Sequence, residues 1–163
     1  HREVPVGFKH ITAGMDEIDA VLGGESSGGL TIRGHIKGKD GVFACALVVE
    51  MLARTGKTLS ELLETVHGIT GRLHQLERGI GATPQMRVEL PRRMASAAPT
   101  EVAGYTVIRI DTYDGIKLHL AGGSWALLRF SGTEPIMRVY CETRHKDKVQ
   151  AILQDGLKVA GIK

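Results

Sequence analysis

The stretch that decides the fold is RFSGTEP at residues 129–135, which lies between two segments whose apolar side chains alternate with polar ones. Alternation runs through residues 125–130 before the stretch and through residues 136–142 after it. A period of two is typical of half-buried strands. The sequence therefore predicts two neighbouring strands joined by an exposed loop at one end of a sheet.

The residues of this loop suit a phosphate group. Gly132 allows the backbone to turn with its N–H groups inward, and Ser131 and Thr133 offer hydroxyl donors. Arg129 and Arg138 flank the loop, and a guanidinium group can bind two phosphate oxygens at once. The same residues also fit a plain polar hairpin turn with solvated arginines, so the loop alone leaves both interpretations open.

The alternating pattern extends upstream of the loop. Residues 106–110 and 116–120 alternate in the same way, and Asp114-Gly115 and Gly122-Gly123 are typical hairpin turns. A final helix is predicted from about Lys146 to Ala160, because its apolar residues recur at helical spacing. The second part of the chain is therefore predicted to be a four-stranded antiparallel sheet with a helix packed on one face.

The first part of the chain has a mixed α/β pattern. We predict strands at residues 4–8 and 30–36, and helices at 15–22, at 42–54 and from 58 onward. The first helix should end at Gly23 and Gly24, and the second should begin at an Asp40 cap and end at Gly56. Thr58 and Glu61 have the spacing of a capping box. Residues 67–100, interrupted by glycine and proline, are predicted to be a linker with one strand near 86–90.

Composition restricts the class of protein. The 163 residues are 42% hydrophobic and 24% charged, enough for one ordinary domain or two small ones. No apolar run approaches the roughly 20 residues that cross a bilayer, so we expect a soluble, cytoplasmic protein and no membrane partner. The net charge of +3 is scattered and aromatics make up 4%, which favours phosphorylated small molecules over nucleic acid. We expect Cys45 and Cys141 to be buried free thiols, and the start at His1 suggests a fragment.

Other candidate site residues lie in the first part. Glu25 and Ser27, in the glycine-flanked stretch 24–29, point the same way if that stretch is extended, and such a pair can hold adjacent sugar hydroxyls. A flexible glycine turn explains the same residues. Lys9, at the end of the predicted first strand, could face a phosphate or be solvated. The histidines and acids have no metal-ligand spacing, so the sequence predicts no metal site and no catalytic residue in this chain.

Several motifs, taken together and in order, resemble the C-terminal part of the α-D-phosphohexomutase family, the phosphoglucomutases and phosphomannomutases. They are Arg129 to Pro135 followed by Arg138, Gly24 to Gly29, Gly7-Phe8-Lys9, and Lys39-Asp40-Gly41. The resemblance covers nearly the whole chain. It implies that residues 1–75 are the C-terminal half of the α/β domain three and that residues 76–163 are domain four, an antiparallel sheet resembling the TATA-binding-protein fold with helices on one side.

The resemblance also implies a reaction, the reversible transfer of a phosphoryl group between O1 and O6 of a hexose through a 1,6-bisphosphate. The residues expected to bind the substrate phosphate are Arg129, Ser131, Gly132, Thr133, Arg138 and Lys9. Glu25 and Ser27 are expected to bind the sugar O3 and O4 hydroxyls. Ser26 and Gly29 make the sugar loop more similar to those of glucose and mannose mutases than to those of phosphoglucosamine enzymes, and leave the C2 epimers glucose and mannose undistinguished.

Two parts of the family's machinery have no counterpart in this sequence. The family's phosphorylated serine lies in a Ser-His-Asn-Pro-type loop and its Mg²⁺ in an Asp-Gly-Asp-type loop, and neither string occurs here. We therefore expect Mg²⁺ only in the parent enzyme, no cofactor in this chain, and no turnover by the chain alone. The expected partners are hexose phosphates and the remaining domains of the parent. The alternative is a non-enzymatic module that binds phosphosugars or nucleic acid.

Overall fold

The computed structural model describes residues 1–162, in which the chain divides into two compact units, residues 1–69 and residue 70 onward. The first unit is mixed α/β. Its elements are α1 (Phe8–Ile18), β1 (Leu22–Gly24), β2 (Leu30–Ile32), α2 (Gly41–Thr55) and α3 (Leu59–Thr70). The strands β1 and β2 form a two-stranded antiparallel sheet.

Local capping signals set the limits of two helices in this unit. Asp40 accepts a hydrogen bond from the Phe43 N–H at 2.9 Å, and Gly56 ends α2 in the left-handed conformation. Ahead of α3, the Thr58 N–H donates to the Glu61 carboxylate at 2.7 Å, and the Glu61 N–H donates to the Thr58 hydroxyl at 3.3 Å. These are the cap and the capping box that the sequence predicts.

Three predictions in the first unit are wrong. Residues 4–8 are not a strand, since α1 begins at Phe8 and no strand among the described residues pairs with this segment. The first helix ends at Asp19 in a left-handed conformation rather than at Gly23, and Gly23 and Gly24 lie in β1. Cys45 is exposed, because α2 buries none of its residues.

The second unit is a single antiparallel sheet with helices. Its elements are β3 (His74–Gly81), α4 (Pro84–Ser96), β4 (Glu101–Val102), β5 (Tyr105–Asp111), β6 (Ile116–Leu120), β7 (Trp125–Phe130), β8 (Ile136–Thr143) and α5 (Val149–Val159). A short 3₁₀ turn at Ala121–Gly123 joins β6 to β7. The strand order is β3-β8-β7-β6-β5-β4, so β7 and β8 are interior strands.

The core of this unit lies between one face of the sheet and the helices. Inward-facing positions of β6, β7 and β8 are almost completely buried, and α5 adds Ile152, Leu153 and Leu157. Gly156 allows α5 to come close to the sheet, because a Cβ added there would lie 3.1 Å from a methyl carbon of Val139. The rigid position of β7 and β8 follows from this packing.

The sheet has six strands where the sequence predicts four. The missed strands are β3, whose glycines conceal its alternation, and the two-residue β4. Residues 86–90, predicted to be a strand, lie in α4, which begins with a Thr83 cap and Pro84 in its first turn. Within residues 1–162, no helix is both long enough and apolar enough to cross a membrane.

Candidate functional site

The loop between β7 and β8 is organised by the Ser131 side chain. The Ser131 N–H donates to the Ile136 carbonyl at 2.9 Å, which closes the hairpin. The Ser131 hydroxyl oxygen accepts hydrogen bonds from the N–H groups of Thr133 at 3.3 Å and Glu134 at 3.1 Å. Ser131 thus closes a turn in which both amides are already hydrogen-bonded to its hydroxyl oxygen. Gly132 and Thr133 are exposed.

Arg129 and Arg138 lie directly opposite each other in the β7–β8 ladder. Side chains at such paired positions share a face of the sheet, and like charges placed there repel. Each arginine has its own acidic partners. The Nε of Arg129 lies 3.0 Å from an oxygen of Asp114, and Arg138 lies 3.1 Å from Glu77 and 3.4 Å from Glu134.

The two arginines differ in how firmly they are held. The Arg129 and Asp114 side chains are 22% and 23% exposed, whereas the Arg138 side chain is 40% exposed and its carboxylate partners are more exposed still. Contact with Tyr140, and then the charge of Glu77, raises the pKa of Arg138 above the ordinary arginine value, so Arg138 keeps its charge. A guanidinium group thus flanks the loop at each end.

A third arginine contacts the loop and was missed by the sequence reasoning. Arg87, in α4, donates a hydrogen bond to the Ser131 carbonyl at 2.7 Å, and its guanidinium carbon lies 5.0 Å from the centroid of the Phe130 ring. The Ala82 N–H, just before α4, donates to the Pro135 carbonyl at 2.8 Å. The Thr83-Pro84 helix start is a signal that could have placed Arg87 on a helix, although no local pattern indicates the loop as its partner.

In the first unit, the stretch 24–29 is a tight turn between β1 and β2. The Glu25 N–H donates to the Gly29 carbonyl at 2.8 Å, and the Ser27 hydroxyl donates to the Glu25 carboxylate at 3.4 Å. The carboxylate also pairs with Lys39 at 2.5 Å. A Cβ on Gly29 would lie 2.9 Å from the Lys39 stem, so the glycine leaves room for the lysine to reach Glu25.

Glu25 and Ser27 approach each other in a tight turn rather than in an extended stretch, and the cation that contacts Glu25 is Lys39. Lys9 lies in the first turn of α1 with an exposed side chain, rather than at the end of a strand. Lys39 lies 14 residues from Glu25 in the chain, so spacing alone gives no signal for their contact.

No group of three or more His, Cys, Asp or Glu side chains in the described part of the chain is arranged to hold a metal ion. His35 and Asp40 approach to 3.0 Å, and His119 and Asp111 to 2.7 Å, but these are pairs.

Two family models match the chain: phosphoglucomutase/phosphomannomutase, alpha/beta/alpha domain III, over residues 1–68, and phosphoglucomutase/phosphomannomutase, C-terminal domain, over residues 86–158. The chain belongs to the phosphoglucomutase/phosphomannomutase family, of which it carries these two domains.

Known proteins agree with this assignment. A phosphoglucomutase/phosphomannomutase of Thermococcus kodakarensis is 32% identical, and the match covers 94% of this chain and 31% of the relative. A phosphoglucosamine mutase of Rubrobacter xylanophilus is 28% identical, and the match covers 97% of this chain and 31% of the relative. A solved structure from Thermus thermophilus, assigned as a phosphomannomutase, aligns with a TM-score of 0.69 at 30% identity, covering 96% of this chain and 30% of that one. The chain thus spans about a third of the length of the curated relatives it matches.

Proposed function

We propose that this chain supplies the sugar-hydroxyl and phosphate-binding parts of an enzyme that interconverts hexose 1-phosphates and hexose 6-phosphates through a 1,6-bisphosphate. The observation that carries the proposal is the pair of opposed arginines, Arg129 and Arg138, at the two ends of a loop that Ser131 closes. The loop would bind the phosphate that is not reacting.

The chemistry of the loop supports this role. A phosphate dianion offers several oxygens, and its strongest protein partners are guanidinium groups and backbone N–H groups. Ser131 and Thr133 add hydroxyl donors, and Gly132 leaves the loop backbone open to a ligand, since a Cβ there would meet nothing within 4 Å. Two arginines that face each other in one ladder pair repel and so destabilise the sheet. A site that binds an anion would explain why both arginines stand there.

In the first unit, we assign sugar recognition to Glu25 and Ser27. A carboxylate can accept hydrogen bonds from two adjacent sugar hydroxyls, here O3 and O4, without contacting the atoms that react. Lys39 holds this carboxylate in place. Exposed Lys9 would add positive charge toward the substrate phosphates.

The phosphoryl transfer itself is assigned to domains outside these two. Family membership implies a metal-dependent enzyme in general, and Mg²⁺ is our proposal for the ion. The phosphorylated serine and the metal loop of the family have no counterpart in this sequence, so we expect no mutase turnover by the chain alone.

The remaining domains of the parent are the proposed protein partner. Helices α2 and α3 bury no residue, although both are rich in apolar side chains. Val42, Val49 and Ile69 are 84%, 65% and 82% exposed. An apolar surface of this kind marks a protein–protein contact more often than a free face.

Substrate choice follows from the turn at residues 24–29. The names of the relatives include glucose, mannose and glucosamine mutases. We propose glucose or mannose phosphates, because Ser26 and Gly29 in this turn resemble the loops of those enzymes. Glu25 and Ser27 do not distinguish epimers at C2, since they are assigned to O3 and O4.

A titration of the ¹⁵N-labelled chain with glucose 1-phosphate tests the proposal. We expect progressive amide shifts in residues 129–138, with weak affinity, because further binding groups belong to other domains. Arg129→Ala should lower the affinity roughly 10- to 100-fold, the equivalent of a charge-assisted hydrogen bond. Arg109→Ala, which removes an exposed arginine of β5, is the matched control. The proposal is wrong if the loop amides do not respond at high millimolar ligand.

A further inference from the structure

The turn between β5 and β6 packs closely against β7, just before the proposed phosphate-binding loop at residues 129–135. Gly115 has a φ of +86°, and a Cβ added there would lie 2.6 Å from the Leu128 carbonyl oxygen and 3.1 Å from the Arg129 Cβ. Only glycine fits such a position without displacing the backbone of β7. The turn is therefore held at a fixed distance from Arg129.

Asp114 precedes Gly115 in this turn and contacts Arg129. Its carboxylate lies 3.0 Å from Nε of Arg129, the inner nitrogen of the guanidinium group. A guanidinium has five N–H donors, so the contact at Nε does not use up the outer nitrogens that bind phosphate oxygens in a bidentate way. Because both side chains are more than three-quarters buried, this contact is sheltered from water more than either ion pair of Arg138.

We propose that Asp114 is a positioning residue for phosphate binding: it fixes the plane of the Arg129 guanidinium so that the outer nitrogens face the loop before the ligand arrives. The inference rests on the proposed function of the loop. Arg138, by contrast, is held by exposed carboxylates, one of which, Glu134, belongs to the loop itself. Arg129 is thus the preorganised arginine and Arg138 the adaptable one.

The direction in which phosphate affinity changes when Asp114 is replaced separates a positioning role from a purely electrostatic one. Asp114 carries a negative charge near the proposed anion site. If Coulomb repulsion were its only effect, replacing Asp114 by a neutral residue should strengthen phosphate binding. If Asp114 positions Arg129, its removal should weaken binding, because the freed guanidinium must be ordered again when phosphate binds.

The test uses the full chain with inorganic phosphate and with glucose 1-phosphate, followed by amide shifts of residues 129–138 and by the Nε–H signal of Arg129. Asp114→Ala should weaken binding roughly tenfold, and Asp114→Asn less, since its carbonyl can still accept from Nε. Asp111→Ala removes an equal charge from the same hairpin and should bind at least as tightly as wild type. Before ligand is added, Asp114→Ala and Asp114→Asn should each shift the Arg129 Nε–H signal, and Asp111→Ala should leave it unchanged.

Three outcomes overturn the inference. If Asp114→Ala binds phosphate more tightly than wild type, as removal of its charge alone predicts, Asp114 does not position Arg129. If the wild-type loop amides fail to respond to phosphate at all, the proposed function fails as well. A wild-type response that is lost in Arg129→Ala but unchanged in Asp114→Ala overturns the positioning role alone and leaves the phosphate site standing.

Discussion

Replacement of Gly115 by alanine should destabilise the second unit strongly, for two separable reasons. The φ of +86° lies in the left-handed region, which costs an L-residue roughly 1–2 kcal/mol. The new methyl group would also lie 2.6 Å from the Leu128 carbonyl oxygen, and β7 is hydrogen-bonded on both sides. Overpacking against a backbone that cannot move adds about 1–3 kcal/mol. The expected loss in the free energy of unfolding is therefore about 2–5 kcal/mol.

A matched control isolates the steric part. Gly104 has a φ of +82°, but a Cβ added there would meet nothing within 4 Å, so Gly104→Ala should show the backbone strain alone. Urea unfolding followed by circular dichroism gives the free energy, and thermal unfolding should shift by about 4–8 °C for each kcal/mol in a unit of this size. Equal destabilisation by Gly115→Ala and Gly104→Ala would refute the close approach of the turn to β7.

Two further predictions concern the same unit. Leu118→Ala should lower the free energy of unfolding by about 2–5 kcal/mol, because Leu118 is 0% exposed, and urea unfolding should show a much smaller loss for Ile108→Ala, which is 66% exposed on the adjacent strand. Hydrogen bonds from Lys158 and from the Ala103 N–H lower the pKa of Asp155. The ionised Asp155 should therefore add its full contribution to the free energy of unfolding above the ordinary aspartate pKa of about 3.9, and lose it as the pH falls through the lowered pKa. The stability difference between wild type and Asp155→Asn in urea should accordingly shrink on acidification, and a difference independent of pH would contradict this.

Features set by neighbouring residues could be predicted from the sequence. The Asp40 cap, the Thr58 capping box and the hairpins at Asp114-Gly115 and Gly122-Gly123 depend on contacts within a few residues, and the structure has all of them. The alternation in β6, β7 and β8 is equally clear, because one face of each strand is buried.

Features that depend on distant partners were not predictable in this way. The edge strand β3 has two glycines and little apolar alternation, and its place in the sheet comes from pairing with β8, more than 50 residues later in the chain. Pro91 argues against a helix over residues 84–96, yet α4 contains it, since tertiary packing of Leu90 and Met94 outweighs local propensity. The same limit applies to the side chains that hold the loop, such as Arg87.

Carboxylates from the elements on either flank of the β7–β8 hairpin offset the repulsion between its two arginines. Arg129 and Arg138 are a like-charged pair in one ladder position, which by itself opposes the pairing of β7 with β8. Asp114 reaches Arg129 from the β5–β6 turn on one side, and Glu77 reaches Arg138 from β3 on the other. The carboxylates thus lower the repulsion between the arginines. A phosphate would have to compete with Glu77 and Glu134 for the outer nitrogens of Arg138, whereas Asp114 contacts Arg129 at Nε. A sheet that needed only stability would place an apolar pair at this position, so the two arginines here are what the proposed phosphate site predicts.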